Sequence, residues 1–264
     1  MKKLMVIEWM KVKNYRTFWV LMLLFVAAII GMNIICYHIN SEINATTGKI
    51  GFSTGNPFDF PNVWGTLAWL SSWVLYFPGF ILIFLITNEY QFKTHRQNII
   101  DGMSRKEFVW VKLMDALILT IICTVIVFIT TLIFGLLGTS KFTFEGMEVI
   151  ANFFICSWVY ILFAMLIAFL FRKAALAIGI YFIYGLIVDN VISGLIKNYF
   201  DRKPYGTYFL PIDVADGLLT FPFFKDAIKM INQSPNVYLC MAICIGWVIF
   251  YHWFTLKKFN SEDL

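Results

Sequence analysis

Six long apolar runs alternate with polar stretches along the chain, at residues 18–37, 63–87, 109–137, 147–171, 174–196 and 237–256. Each holds about 20 residues or more, enough for a helix rising 1.5 Å per residue to cross a hydrocarbon layer roughly 30 Å thick. In lipid the backbone must satisfy its own polar groups, so the pattern predicts an all-α polytopic membrane protein with six transmembrane helices, a single domain over 1–264. Ahead of the first run, Met5, Trp9 and Val12 share a helix face while Lys2, Lys3, Lys11, Lys13 and Arg16 spread around the rest. That predicts an interfacial helix before an uncleaved first span. Residues 38–62 are polar and rich in Gly, Asn and Thr, which predicts a loop, and Pro78-Gly79 predicts a kink near the middle of the second span. Residues 199–235 are interrupted by Pro204, Gly206, Pro211, Gly217 and Pro222. Their apolar pieces, such as 214–224, are too short to span and too apolar for open water, so they are expected in the interface or as re-entrant half-helices.

One polar island, residues 88–108, has a grammar of its own. Residues 90–100 are good helix formers without proline, Gly102 suits the left-handed residue that ends a helix, and Ser104 with Glu107 makes a capping box for the next one. A helix, a sharp turn at Asp101-Gly102 and re-entry near Phe108 follow. Such a hairpin is either a plain water-exposed connection or a docking surface for a soluble protein.

Composition narrows the class. Of 264 residues, 60% are hydrophobic and only 14% charged, with a mean hydropathy of +0.75, far more apolar surface than a soluble domain needs. The net charge of +5 is an orientation signal rather than a sign of nucleic acid. Lys and Arg lie two to one on the side that holds the termini and the island, which predicts both termini and residues 88–108 on the cytoplasmic side of a bacterial inner membrane. All five cysteines fall in apolar runs and behave as small hydrophobes, Cys240 and Cys244 included. No P-loop, H-E-x-x-H or G-x-S-x-G occurs, so no ATP site, metallohydrolase or serine hydrolase is expected, and the chain is expected to bind no cofactor itself. Ionisable residues inside spans carry a functional hypothesis by default. Asp189, beside Asn190, either lines a translocation path or bonds to a neighbouring helix or to Lys197; Asp115 is expected near the interface, still hydrated. Asn33 and Asn152 are expected to join helices. A stand-alone channel or ion-coupled carrier using Asp189 is the alternative to an ATP-driven transporter, and a membrane enzyme using Asp115 or Asp189 is the third reading.

The layout resembles the ABC-2 type permeases, the membrane subunits of ATP-binding-cassette exporters. A basic N-terminal segment (2–17) matches that family's elbow, six spans follow, and the last is preceded by a broken apolar stretch. The resemblance is most specific where Glu89 closes the second span and Thr94-His95-Arg96, Ser104-Arg105-Lys106-Glu107-Phe108 and Lys112 follow. These look like the family's E…T-x-R…S-R-x-E-x…K segment, its coupling helix. Phe209-Leu210-Pro211 is similar to the aromatic-Leu-Pro stretch of the family's extracellular re-entrant helices. Gly102-Met103 departs from it, since many members carry a proline there. The resemblance implies a type V-like exporter fold. It also implies docking of an ATPase through Glu89, Thr94, Arg96, Asn98, Ile99, Ile100, Asp101, Gly102, Met103, Ser104, Arg105 and Glu107, with Arg96, Arg105 and Lys106 steering and Ile99, Ile100 and Met103 buried in the contact. Two copies of a cytosolic ATPase that binds ATP and Mg, and a second permease chain, identical or related, are the partners implied beside the bilayer. These motifs specify the kind of transporter, not its cargo.

Overall fold

Lipid-length apolar runs fold here into helices, the one regular structure that pairs all of its backbone groups within a single segment. The computed structural model describes residues 2–46, 56–138, 142–199, 209–219 and 236–260, and among them there is no strand. In chain order the helices are α1 (Lys2–Lys13), α2 (Arg16–Thr46), α3 (Asn62–Ser72), α4 (Tyr76–Gln91), α5 (Thr94–Ile100), α6 (Arg105–Gly138), α7 (Glu148–Phe171), α8 (Ala174–Ile183), a π-turn (Tyr184–Val188), α9 (Asp189–Tyr199), α10 (Pro211–Asp216) and α11 (Val237–Asn260). Five stretches are long and apolar enough to cross a membrane: α2, α6, α7, the α8–α9 stretch and α11. The pair α3 and α4, bent by 44°, makes a sixth if taken as one span.

α7 is the hub. Its most apolar stretch is 78% buried, against 22% for α2, the α8–α9 stretch and α11, and it packs against α4, α6, α11, α8, α3 and α10. Such all-round apolarity is what a buried helix requires, while the outer helices keep an apolar face for lipid or another chain. At one end of the bundle, Phe108 stacks on Phe259 with ring centroids 4.9 Å apart, tying the start of α6 to the end of α11. At the opposite end Phe58, Val63, Leu67 and Phe134 form a smaller cluster roofed by Tyr37.

Several expectations are corrected. α2 continues through 38–46, because polar residues alone do not stop a helix; Gly and Pro do, and the first Gly after Tyr37 is Gly48. The bend of the second span lies at 73–75, not at Pro78. Pro78 sits in the first turn of α4, where its missing N–H would have had no intrahelical partner. Gly79 serves close approach instead: a Cβ there would stand 2.5 Å from the Tyr181 hydroxyl. Asn33 bonds to the Ile29 carbonyl of its own helix rather than across helices, whereas Asn152 reaches from α7 to the Leu218 carbonyl at 3.4 Å. Asp115 is drawn into the protein with 9% exposure rather than left hydrated. Of the interrupted 199–235 stretch, residues 200–208 and 220–235 lie outside the described residues, as does the Lys197 side chain.

Candidate functional site

The polar island is two helix ends and a short helix between them. α4 does not run on to Ile100 as its composition predicts; it stops at Gln91, with Lys93 left-handed at φ 56°. The Glu89 carbonyl released there is taken by side chains, by His95 Nδ1 at 2.9 Å and by Thr94 Oγ1 at 3.5 Å. α5 then closes as a Schellman motif: the Gly102 N–H donates to the Ile99 carbonyl at 3.1 Å and the Met103 N–H to the Asn98 carbonyl at 3.0 Å, with Gly102 at φ 103°. α6 opens with the expected capping box. The Ser104 N–H and hydroxyl both donate to Glu107 Oε2 at 2.8 Å, and the Glu107 N–H donates to Ser104 Oγ at 3.2 Å. A seven-residue helix that would fray alone is thus held at both ends by local bonds.

Of the twelve residues assigned to docking, the structure turns some inward. Glu89 is buried, and Ile99 and Met103 pack against the chain's own core. Thr94, Asn98 and Arg105 are half-buried; Arg96, Asp101, Gly102, Ser104 and Glu107 are exposed. The outward apolar contact falls to Ile100, 84% exposed, and to Phe92, 70% exposed at the α4–α5 break.

Beneath this segment lies a cluster of buried charge. Lys112 on α6, fully buried, contacts Glu8 of α1 at 2.6 Å, Glu89 of α4 at 2.8 Å and Asp115 at 3.5 Å. Lys11 bridges the same two glutamates, at 2.7 Å to Glu8 and 2.8 Å to Glu89. Burial works to raise the Glu8 carboxyl, but Lys112 and Lys11 outweigh it and hold Glu8 below its ordinary value of 4.5. Three helices far apart in sequence are therefore pinned at one point. Removing one member of such a set is strongly destabilising, because it strands the others away from water.

The opposite end has a recess of about 210 Å³ between Trp69, Trp73, Tyr76, Tyr160, Asn190 and Asp216. Three irregularities meet there: the α3–α4 bend, the π-turn and α10. Asn190 Nδ2 donates to the carbonyls of Gly185 and Leu186, at 3.3 and 3.2 Å, covering groups that the π-turn leaves open. Asp189 is 2% exposed and accepts the Asp213 N–H at 2.7 Å, so it anchors α10, the helix-joining role among its sequence alternatives. Ser193 donates to Asp213 Oδ1 at 3.1 Å and Tyr160 to Asp216 Oδ1 at 2.8 Å. Asp213 is half-buried and Asp216 is exposed at the recess.

The family model for an ABC-2 family transporter protein matches residues 4–188, well over half of the chain, including α1, the island and every member of the buried cluster. This chain belongs to the ABC-2 transporter family. No curated protein matches it. As an ABC-2 permease it is a membrane component of an ABC transporter, which works with an ABC ATPase. The permease's ion cluster was half legible: Glu89 and Lys112 stand in the motif, but Lys11 read as one of the basic residues of an interfacial helix and Glu8 drew no reading at all. Their i, i+3 spacing was the available signal. Phe92 carried no signal at all, since its exposure depends on a break that composition does not announce.

Proposed function

We propose that this ABC-2 permease passes the movement of a cytosolic ATPase to its spans through residues 88–108, in an ATP-driven exporter that contributes no ATPase site of its own. The observation that carries the reading is the short α5, closed by its Schellman turn and followed at once by the capping box of α6, with Ile100 outward, standing on the buried cluster of Glu8, Glu89 and Lys112. Rigid-body motion is transmitted only through stiff contacts, and a turn capped on both the α5 and the α6 side, with an ion-paired root, supplies stiffness. Arg96 and Lys106 steer the encounter; Ile100 and Phe92 fill the contact. The ATPase binds ATP and Mg, α1 acts as the elbow, and α10 is one of the extracellular re-entrant half-helices of a type V-like fold, held by Asp189. Both termini lie in the cytoplasm of a bacterium, as the distribution of Lys and Arg supports. One permease offers one coupling helix, so two ATPase copies pair with two permease chains, a homodimer being the simplest case.

The test is co-purification of the tagged chain from its native membranes in mild detergent. Wild type retains a P-loop ATPase. Ile100→Asp, which touches no core residue, lowers the recovered ATPase by about tenfold or more while insertion stays normal. Undiminished recovery with Ile100→Asp would overturn the docking role.

A further inference from the structure

The α8–α9 stretch buries one line of side chains at every fourth residue: Ala177, Tyr181, Gly185, Asp189 and Ser193, with the residues between them exposed or half-buried. A step of four in an α-helix overshoots a full turn by about 40°, so from Ala177 to Ser193 the line would drift by about 160° and end on the opposite face. The wide turn at Tyr184–Val188 takes up one residue, about 100° of that drift, and brings Asp189 and Ser193 back to the face of Tyr181. Ahead of the turn the stretch is keyed into α4. The Tyr181 ring fills the notch at Gly79, and Tyr76 lies so close over Gly185 that a Cβ there would collide with its hydroxyl. Beyond the turn, Asp189 Oδ2 accepts the Asp213 N–H at 2.7 Å and the Ser193 hydroxyl donates to Asp213 Oδ1 at 3.1 Å, two bonds that hold α10. Asn190 donates to the Gly185 and Leu186 carbonyls that the wide turn leaves open, and so favours that turn.

A π-turn and an α-turn of the same residues differ by one position in register. In the α register every residue beyond the turn moves on by about 100°. Val188 then takes the place of Asp189 against α10, and Ile192 that of Ser193. Asp189 moves to where Asn190 now stands, on the wall of the recess of about 210 Å³. Each register has a coherent face: a polar one that bonds α10, and an apolar one, built from the half-buried Val188 and Ile192, that does not. We propose that the turn at Tyr184–Val188 is a two-position switch, whose π register holds α10 through Asp189 and Ser193 and whose α register releases α10 and turns the Asp189 carboxyl into the recess. Helix anchor and path lining, the two sequence readings of Asp189, are then two registers of one helix. An element with two discrete packings changes state as a unit, which is what a conformational switch requires. The inference needs neither ATPase docking nor a direction of transport.

Amide hydrogen exchange over residues 209–219 of the full-length chain in detergent reports how firmly α10 is held. Asn190→Leu removes the donor that favours the π register and adds a good helix former, so α10 exchanges at least about tenfold faster than in wild type. Deleting Ile187 takes out the extra residue itself. The helix then runs as α throughout with Tyr181 and Asp189 still on one face, so α10 stays held and exchanges at the wild-type rate. In that shortened chain Asn190→Leu leaves α10 exchange unchanged, because no second register remains to be favoured. A side chain that merely packs would be missed alike in both chains. Unchanged α10 exchange in the full-length Asn190→Leu chain would overturn the proposal, whether or not the shortened chain folds. So would equal acceleration by Asn190→Leu in both chains, or release of α10 by the deletion alone in a chain whose other helices keep their protection.

Discussion

The two ends of this permease each gather carboxylates, and they hold them in opposite ways. At the α5 end, Glu8, Glu89 and Asp115 surround Lys112, with Lys11 closing the set: charge answered by charge. At the other end Asp189 accepts a backbone N–H and Asp216 a tyrosine hydroxyl, and neither forms an ion pair with a described residue. An ion-paired cluster fixes one geometry; carboxylates held by neutral donors change state when a proton arrives. The difference suits a rigid root beneath residues 88–108 and, at the opposite end, a recess built from a bend, a π-turn and the short α10 that can rearrange.

The comparison breaks most severely at Lys112. Lys112→Met strands two or three carboxylates in the interior and costs about 3 to 5 kcal/mol, read as a large drop in Tm of the detergent-solubilised chain. Asp189→Asn, which keeps one acceptor for the Asp213 N–H, costs about 1 kcal/mol or less on the same assay. Near-equal losses from the two would erase the distinction.

The same contrast explains what the sequence disclosed. The spans were legible because lipid imposes length and apolarity on each segment separately, and the caps because Gly102, Ser104 and Glu107 act within a few residues of themselves. The second-span bend was misplaced because Pro78, the obvious breaker, falls where a helix start tolerates it. The ion cluster needs Glu8 to meet Lys112 across 104 residues, a pairing that no local pattern encodes. Glu89 read as a docking residue for the same reason: its motif gave its importance but not its direction.

A smaller effect sharpens the account through pH. Glu8 is held low, so its contribution is present above the ordinary carboxylate range and is lost as pH falls through its folded value. Glu8→Gln flattens the acid limb of the Tm profile. The smallest effect is Ser104→Ala, which removes the side-chain half of the α6 cap for about 1 kcal/mol and loosens ATPase coupling before it lowers expression.

The most direct measurement is amide hydrogen exchange of the full-length chain in detergent, wild type against Glu8→Gln, read over residues 89–103. Glu8 lies on α1 and shares Lys112 and Lys11 with Glu89 near the end of α4. If the ion cluster roots that segment, exchange in α5 and at the end of α4 accelerates together with exchange in α1. Faster exchange in α1 with α5 unchanged would contradict it, leaving α5 a capped hairpin with no buried anchor.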